Sequence, residues 1–335
     1  MLGLWGAIAW GCQHFEPEAL RRLPLPNVHI LRFDSLLFSI PLQSFDTQVV
    51  QLMRQYPIPS EAYFHFVMGL PSNDSVLISR LQQVVRDRYS QVLFQDILQA
   101  YPSLAPIESA LQAPLRRYQF YLQVDSVPHF FSYISFFSYA VITYGKWVGI
   151  GLDMYLGPHY RFYPATIQHQ YLIRRRSSTY LVPQVMKALF ARHFPVDSFT
   201  DYTLISHAIY EGKKLYFLDL TLPHLPDSIK IEYTAQEMEW VEDNEAELWT
   251  FMIEQELLFN SKPRTVGRFF NEAPFTNYAG IPQDAPPRLG EWIGWQIVRS
   301  YMKKHPEISP LELFAEKDYQ KIFQQSGYRP KVRYF

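Results

Sequence analysis

The chain has 335 residues, 48% hydrophobic and 19% charged, a balance that excludes intrinsic disorder. A formal net charge of −1 speaks against a dedicated nucleic-acid binder, which presents a strongly basic face. Glycine is scarce, 14 against 25 prolines, and neither GxGxxG nor GxxxxGK[ST] occurs.

Residues 1–11, MLGLWGAIAWG, are uncharged and almost wholly apolar, and Cys12 follows them directly. Cys12 is the sole cysteine, which excludes an intramolecular disulfide and a Cys-based metal site. The pattern reads as a lipoprotein-type signal over 1–12, with Ala9-Trp10-Gly11 as its lipobox and Cys12 as the lipidated residue. Ala9 stands where Leu is usual, Trp10 is bulky, and no Lys or Arg precedes the apolar run. A start codon assigned too late would account for the missing charges. Residues 13–26 read as a linker. No later boundary is visible, so 27–335 is expected to form one domain.

NVHILRFD (27–34) alternates apolar and polar residues and predicts a first strand. Helical patterns follow over 46–57, 75–100 and 105–118, broken by Pro57, Pro59 and Pro71. Residues 118–126, 137–145 and 146–157 read as successive strands, with Tyr144-Gly145-Lys146 as a turn. The apolar run within 130–145 is rich in Ser, Tyr and β-branched residues and suits a buried strand or hairpin rather than a membrane span.

Helices dominate afterwards. Over 200–221, Leu204, Ala208, Glu211, Leu215 and Leu218 share one face, capped by Asp201 or Thr200. His207 lies four residues before Glu211, within side-chain reach. Over 234–260, Thr234 and Glu237 form a capping box, and Glu245 falls within the apolar stripe Met238, Val241, Leu248, Met252, Phe259. Carboxylates on buried faces are costly unless paired, and Arg174, Arg175, Arg176 and Arg299 are the expected partners. His207, Glu245 and Arg299 form a candidate buried polar cluster. A third helix spans 289–305, where Gly290 and Gly294 allow another element to approach closely. Ser309-Pro310 opens a last helix near 310–325.

The chemistry that is missing is informative. No HExxH, the zinc-protease signature, occurs. His207 and Glu211 offer two metal ligands on one helical face, with no base between them; His193 or Glu245 would be the third. No GxSxG elbow exists, and the sole Cys sits in the signal-like segment. Glu211 and Glu245 leave a carboxylate-pair glycosidase open.

HAIYEGKKLYFLD (207–219), PDSIKIEYT (226–234), NEAELWTFMIEQELLF (244–259), APF (273–275) and GEWIGWQIVRSYM (290–302) resemble the gliding motility lipoprotein family GldB of Bacteroidetes. So do GLDMYLGPHYRFYP (151–164) and YLIRRRSSTYLVPQVMK (171–187), and the likeness spans roughly 25–335. That family begins with a lipoprotein signal. The resemblance implies a lipid-anchored envelope protein facing the periplasm, a non-catalytic binding or structural component of the gliding apparatus linked to type IX secretion. Its partners would be other motility and secretion envelope proteins and the membrane, with no nucleic acid and no cofactor.

GldB-like proteins are similar in turn to predicted HExxH zincins. This implies an α+β, zincin-like fold, mainly helical with a small mixed β-sheet. Pro183-Gln184-Val185-Met186-Lys187 would stand where HExxH should be, and Glu211-Gly212 would match the zincin E-G pair. Both His ligands would be replaced, by Pro183 and Lys187, and the base by Gln184, which cannot take a proton. Lys187 is expected to pair with Glu211, and a strand around 147–156 to offer an edge to an extended chain. The resemblance thus implies a pseudo-protease; the alternative is a zinc metallopeptidase with a non-standard site around His207 and Glu211.

Overall fold

The computed structural model describes residues 16–167, 170–196, 201–272 and 279–330. Cys12, the expected lipobox before it and Ala273-Pro274-Phe275 lie outside the described residues. Four short strands, β1 (Ile30–Leu31), β2 (His129–Tyr133), β3 (Val141–Tyr144) and β4 (Trp147–Gly151), make one mixed sheet in the order β1-β2-β4-β3. β1 and β4 flank β2 in parallel, and β3 returns antiparallel to β4 across the expected turn at Gly145. The remainder is mainly helical, which agrees with the α+β expectation.

β4 therefore lies inside the sheet, hydrogen-bonded on both sides, so 147–156 is not the available edge that the sequence suggested. Just beyond β4, buried Asp153 accepts hydrogen bonds from the Ser135 and Phe137 amides at 2.8 and 2.7 Å and from Ser135 Oγ at 2.9 Å. These bonds hold a loop in which Phe136 and Phe137 take positive φ. Burial pushes the Asp153 carboxyl up to about 6 against the pull of its donors.

Several expected boundaries shift. Residues 118–122 are helical, not extended: α1 runs Ala105–Leu122, because Leu111, Leu115, Tyr118 and Leu122 keep helical spacing on one buried face. Gln123 then ends it in the left-handed conformation. The 27–34 strand shrinks to two residues before a helix begins at Phe33. The 75–100 pattern splits at Asp87, whose side chain caps the second half through Ser90 N at 2.8 Å. The 310–325 pattern likewise divides into Pro310–Ala315 and Tyr319–Ser326. The expected linker is partly structured: helix Glu18–Arg22 buries Leu20, and Glu16 takes Arg117 at 2.8 Å and Arg116 at 3.3 Å.

The C-terminal half is built on α2 (Leu181–His193), α3 (Leu204–Thr221), α4 (Ala235–Glu254) and α5 (Leu289–Lys304). Thr203, two residues after the expected cap Asp201, caps α3, and Asp201 in turn accepts from Thr203; Thr200 lies outside the described residues. The α4 capping box at Thr234 and Glu237 forms as expected. α3 and α5 meet backbone to backbone. A Cβ on Gly294 would fall 1.7 Å from the Ala208 carbonyl oxygen, and one on Gly212 would fall 2.2 Å from the Gly294 carbonyl oxygen. Only glycine fits at this crossing. Among the described residues no helix is long and apolar enough to cross a membrane.

Candidate functional site

The first two turns of α2 bury Pro183, Val185 and Met186 and turn Gln184 and Lys187 toward a polar layer. The centre of that layer is Glu232, which the sequence did not single out. Lys187 Nζ donates to Glu232 Oε1 at 2.9 Å, and Gln184 Nε2 reaches the same oxygen at 3.4 Å. Gln184 Oε1 accepts from Tyr155 OH at 2.6 Å. Arg175 lies 3.5 Å from Glu232 Oε2 and makes a two-armed contact with Glu272 at 2.5 and 3.0 Å. Burial alone would push the Glu232 carboxyl up, but Lys187, Arg288 and Arg175 together hold it at about 2.

The two centre-piece residues sit where the backbone turns between helices. Glu232 ends the short helix Asp227–Ile231 with φ +64, and Arg288 precedes α5 with φ +58. Left-handed backbone is uncommon for such residues and costs energy. Here it is held by the Arg288 guanidinium, which donates to the Ile231 carbonyl at 2.8 Å and to Glu291 at 3.2 Å and lies 3.3 Å from Glu272. Arg174 extends the layer, donating to Glu237 at 2.8 Å and to the Glu232 carbonyl at 3.2 Å.

Glu211 joins the layer from α3, but not through Lys187. Its ion pair is with Lys214, at 2.5 Å on the same helix. The reason is geometric: Lys214 is one turn away, whereas Glu232 meets Lys187 directly. Glu291 links the two halves electrostatically. Burial pushes its carboxyl up, Arg288 opposes this, and Glu211 adds to the rise. Gln184, Lys187 and Glu211, which the resemblance assigned to one site, thus share one polar neighbourhood, with Pro183 packed beneath it. Arg176 is half-buried beside the layer; burial lowers its pKa against the opposing influence of Tyr163 and Tyr155.

His207, Glu245 and Arg299, expected as one cluster, each have partners of their own. His207 Nδ1 is 3.1 Å from the Thr203 carbonyl, with its ring 5.8 Å from Phe270. Glu245 accepts Trp292 Nε1 and Tyr328 OH, each at 2.9 Å. Arg299 forks onto Asp219 and Asp227 at 2.7–3.0 Å and covers the Trp295 ring at 3.7 Å. Asp219 also accepts Trp295 Nε1 at 2.9 Å and Lys230 Nζ at 2.8 Å. Arg174, Arg175 and Arg299 thus pair with Glu237, with Glu272 and with Asp219 and Asp227, where Glu211 and Glu245 were expected. His193, a proposed third metal ligand, shares a 2.6 Å hydrogen bond with Tyr118 OH. Among the described residues no group of three or more His, Cys, Asp or Glu side chains is placed to hold a metal ion.

The family model for gliding motility protein GldB matches residues 17–330. The chain belongs to the GldB family. The match takes in the polar layer, both glycines of the α3–α5 crossing and the N-terminal helix. Comparison with curated proteins found no match, and comparison with solved structures found none. The zincin likeness therefore rests on the sequence alone. Sequence reasoning missed Glu232, Arg288, Glu272 and Glu291. The available signal was a set of charged residues at the ends of strongly apolar helices, where a pairing across elements is required.

Proposed function

We propose that this GldB-family protein is a non-catalytic component of the gliding motility machinery, anchored by lipidated Cys12 and facing the periplasm. Other envelope proteins of motility and type IX secretion would be its partners. The observation that carries the non-catalytic part is the Lys187–Glu232 contact at 2.9 Å. A cation and its carboxylate fill the position where the sequence likeness would put a zinc ligand, and Gln184 replaces the base. The layer is closed by charge pairs, so it supplies rigidity rather than a reactive group. Family membership supports the motility role, and the apolar run before Cys12 supports the anchor.

The test is replacement of the chromosomal copy in its own host by Cys12→Ser and, separately, by Glu211→Gln. The proposal expects Cys12→Ser to leave the membrane fraction and to stop gliding, and Glu211→Gln to glide normally at normal abundance. A Cys12→Ser protein that stays on the membrane as before refutes the anchor. Loss of gliding in a stable, normally abundant Glu211→Gln protein favours the metallopeptidase reading.

A further inference from the structure

The segment from Glu16 to Pro26 borders two cavities. One, of about 750 Å³, is lined by Glu16, Arg117, Tyr121, Arg299 and Lys303 among others. The other, of about 600 Å³, is an apolar groove formed by Pro17, Leu23, Phe120, Tyr121, Pro310 and Leu311. Pro17 and Tyr121 belong to both, so the cavities share one face. Beside the groove Leu23 and Leu25 are 36% and 52% exposed, in an otherwise exposed run that includes Arg21 and Arg22. Exposed leucines, an apolar groove and neighbouring cations make an amphipathic surface patch.

Its place in the chain identifies what covers it. Glu16 is clamped to Arg117 and Arg116, and only residues 13–15 separate it from Cys12. Four residue steps reach at most about 14 Å. A lipid on Cys12 would therefore keep the surface around Glu16, to which this face belongs, close to the bilayer. Arg117 and Arg299 are held by Glu16, Asp219 and Asp227, so the cations turned outward are Lys303 and Arg22, the latter in an exposed pair with Glu18; these match the charge of anionic headgroups, and the leucines match the acyl boundary.

We propose that this face is seated on the phospholipid bilayer, with Leu23 and Leu25 entering the acyl boundary and Arg22 and Lys303 meeting lipid phosphates. The lipid anchor then fixes the orientation of the domain instead of letting it swing on a linker. The inference rests on lipidation of Cys12.

The test uses the acylated full chain purified from its host membrane. In that protein the thiol of Leu25→Cys is the only reactive one. It is labelled with bimane and reconstituted in vesicles of phosphatidylethanolamine and phosphatidylglycerol carrying nitroxide-labelled lipid. A second protein carries the label at Phe66→Cys, 55% exposed in the helical segment Ala62–Val67, with its ring against Tyr139. Quenching several-fold stronger at Leu25 than at Phe66, and reduced by Arg22→Glu with Lys303→Glu, supports the proposal. Equal or negligible quenching at Leu25 on a chain whose Cys12 is acylated overturns the docking and leaves the anchor standing. A chain whose Cys12 carries no lipid overturns both. Protection of Leu25 by a co-purifying protein, with no lipid quenching, would replace the bilayer with that protein and also overturns the proposal.

Discussion

Lys187 and Glu232 meet at 2.9 Å, from helix α2 and from the turn ahead of α4, and the rest of the polar layer is arranged around that contact. Arg175 and Arg288 approach the same carboxylate from outside it. Removing the carboxylate leaves three cations with less compensation in a buried setting. Glu232→Gln is expected to destabilise the protein by roughly 3–5 kcal/mol at pH 7, read from urea unfolding midpoints. The folded carboxyl at about 2 lies below the unfolded value near 4.5. Its contribution is thus present above pH 4.5 and lost as pH falls toward 2, and that acid-side loss should be smaller in Glu232→Gln. Identical acid limbs for the two proteins would contradict the assignment.

The α3–α5 crossing predicts a contrast between two glycines. Gly294→Ala places a methyl 1.7 Å from the Ala208 carbonyl oxygen and forces the helices apart. The expected cost is about 3 kcal/mol or more, at the upper end of overpacking effects. Gly267→Ala, in the helix Pro263–Arg268, meets nothing nearer than 3.6 Å. It should be neutral or stabilising by up to about 1 kcal/mol, because alanine favours helix. Thermal or urea unfolding of both variants checks this; equal destabilisation would contradict the close crossing.

Asp153 gives a pH dependence of opposite sign. Its folded carboxyl, at about 6, holds its proton to higher pH than the unfolded group at 3.8. Its contribution is therefore greatest below about pH 4 and falls as pH rises through 6. Wild type should lose roughly 3 kcal/mol relative to Asp153→Asn over that window. Parallel stability curves between pH 4 and 7 would contradict the buried, three-donor setting of this carboxylate.

Much of the fold was legible where one periodicity ran unbroken. The stripe Leu204, Ala208, Leu215, Leu218 and the Thr234–Glu237 capping box located α3 and α4 because each signal is local. Gly294 was legible as a close approach, though its partners Ala208 and Gly212 were not. Tyr118-Gln119-Phe120-Tyr121 misled because a short aromatic run alternates like a strand, while burial of Leu111, Leu115, Tyr118 and Leu122 keeps it helical. Leu20 was lost in a polar-looking segment, since one buried side chain makes no pattern. The site was harder. Lys187 could be recognised as a cation out of place, but spacing along the chain could not choose between Glu211 and Glu232. That choice is made by the turn that brings Ile231 and Glu232 against Arg288.

Metal content decides whether the polar layer around Lys187 and Glu232 is structural, as proposed, or a metal centre. The most direct measurement is the metal content of the acylated full chain, purified from its host membrane without an affinity metal, by elemental mass spectrometry. A structural layer predicts zinc far below one per folded chain, unchanged in Glu211→Gln. Zinc near one per chain, lost in Glu211→Gln, would contradict it.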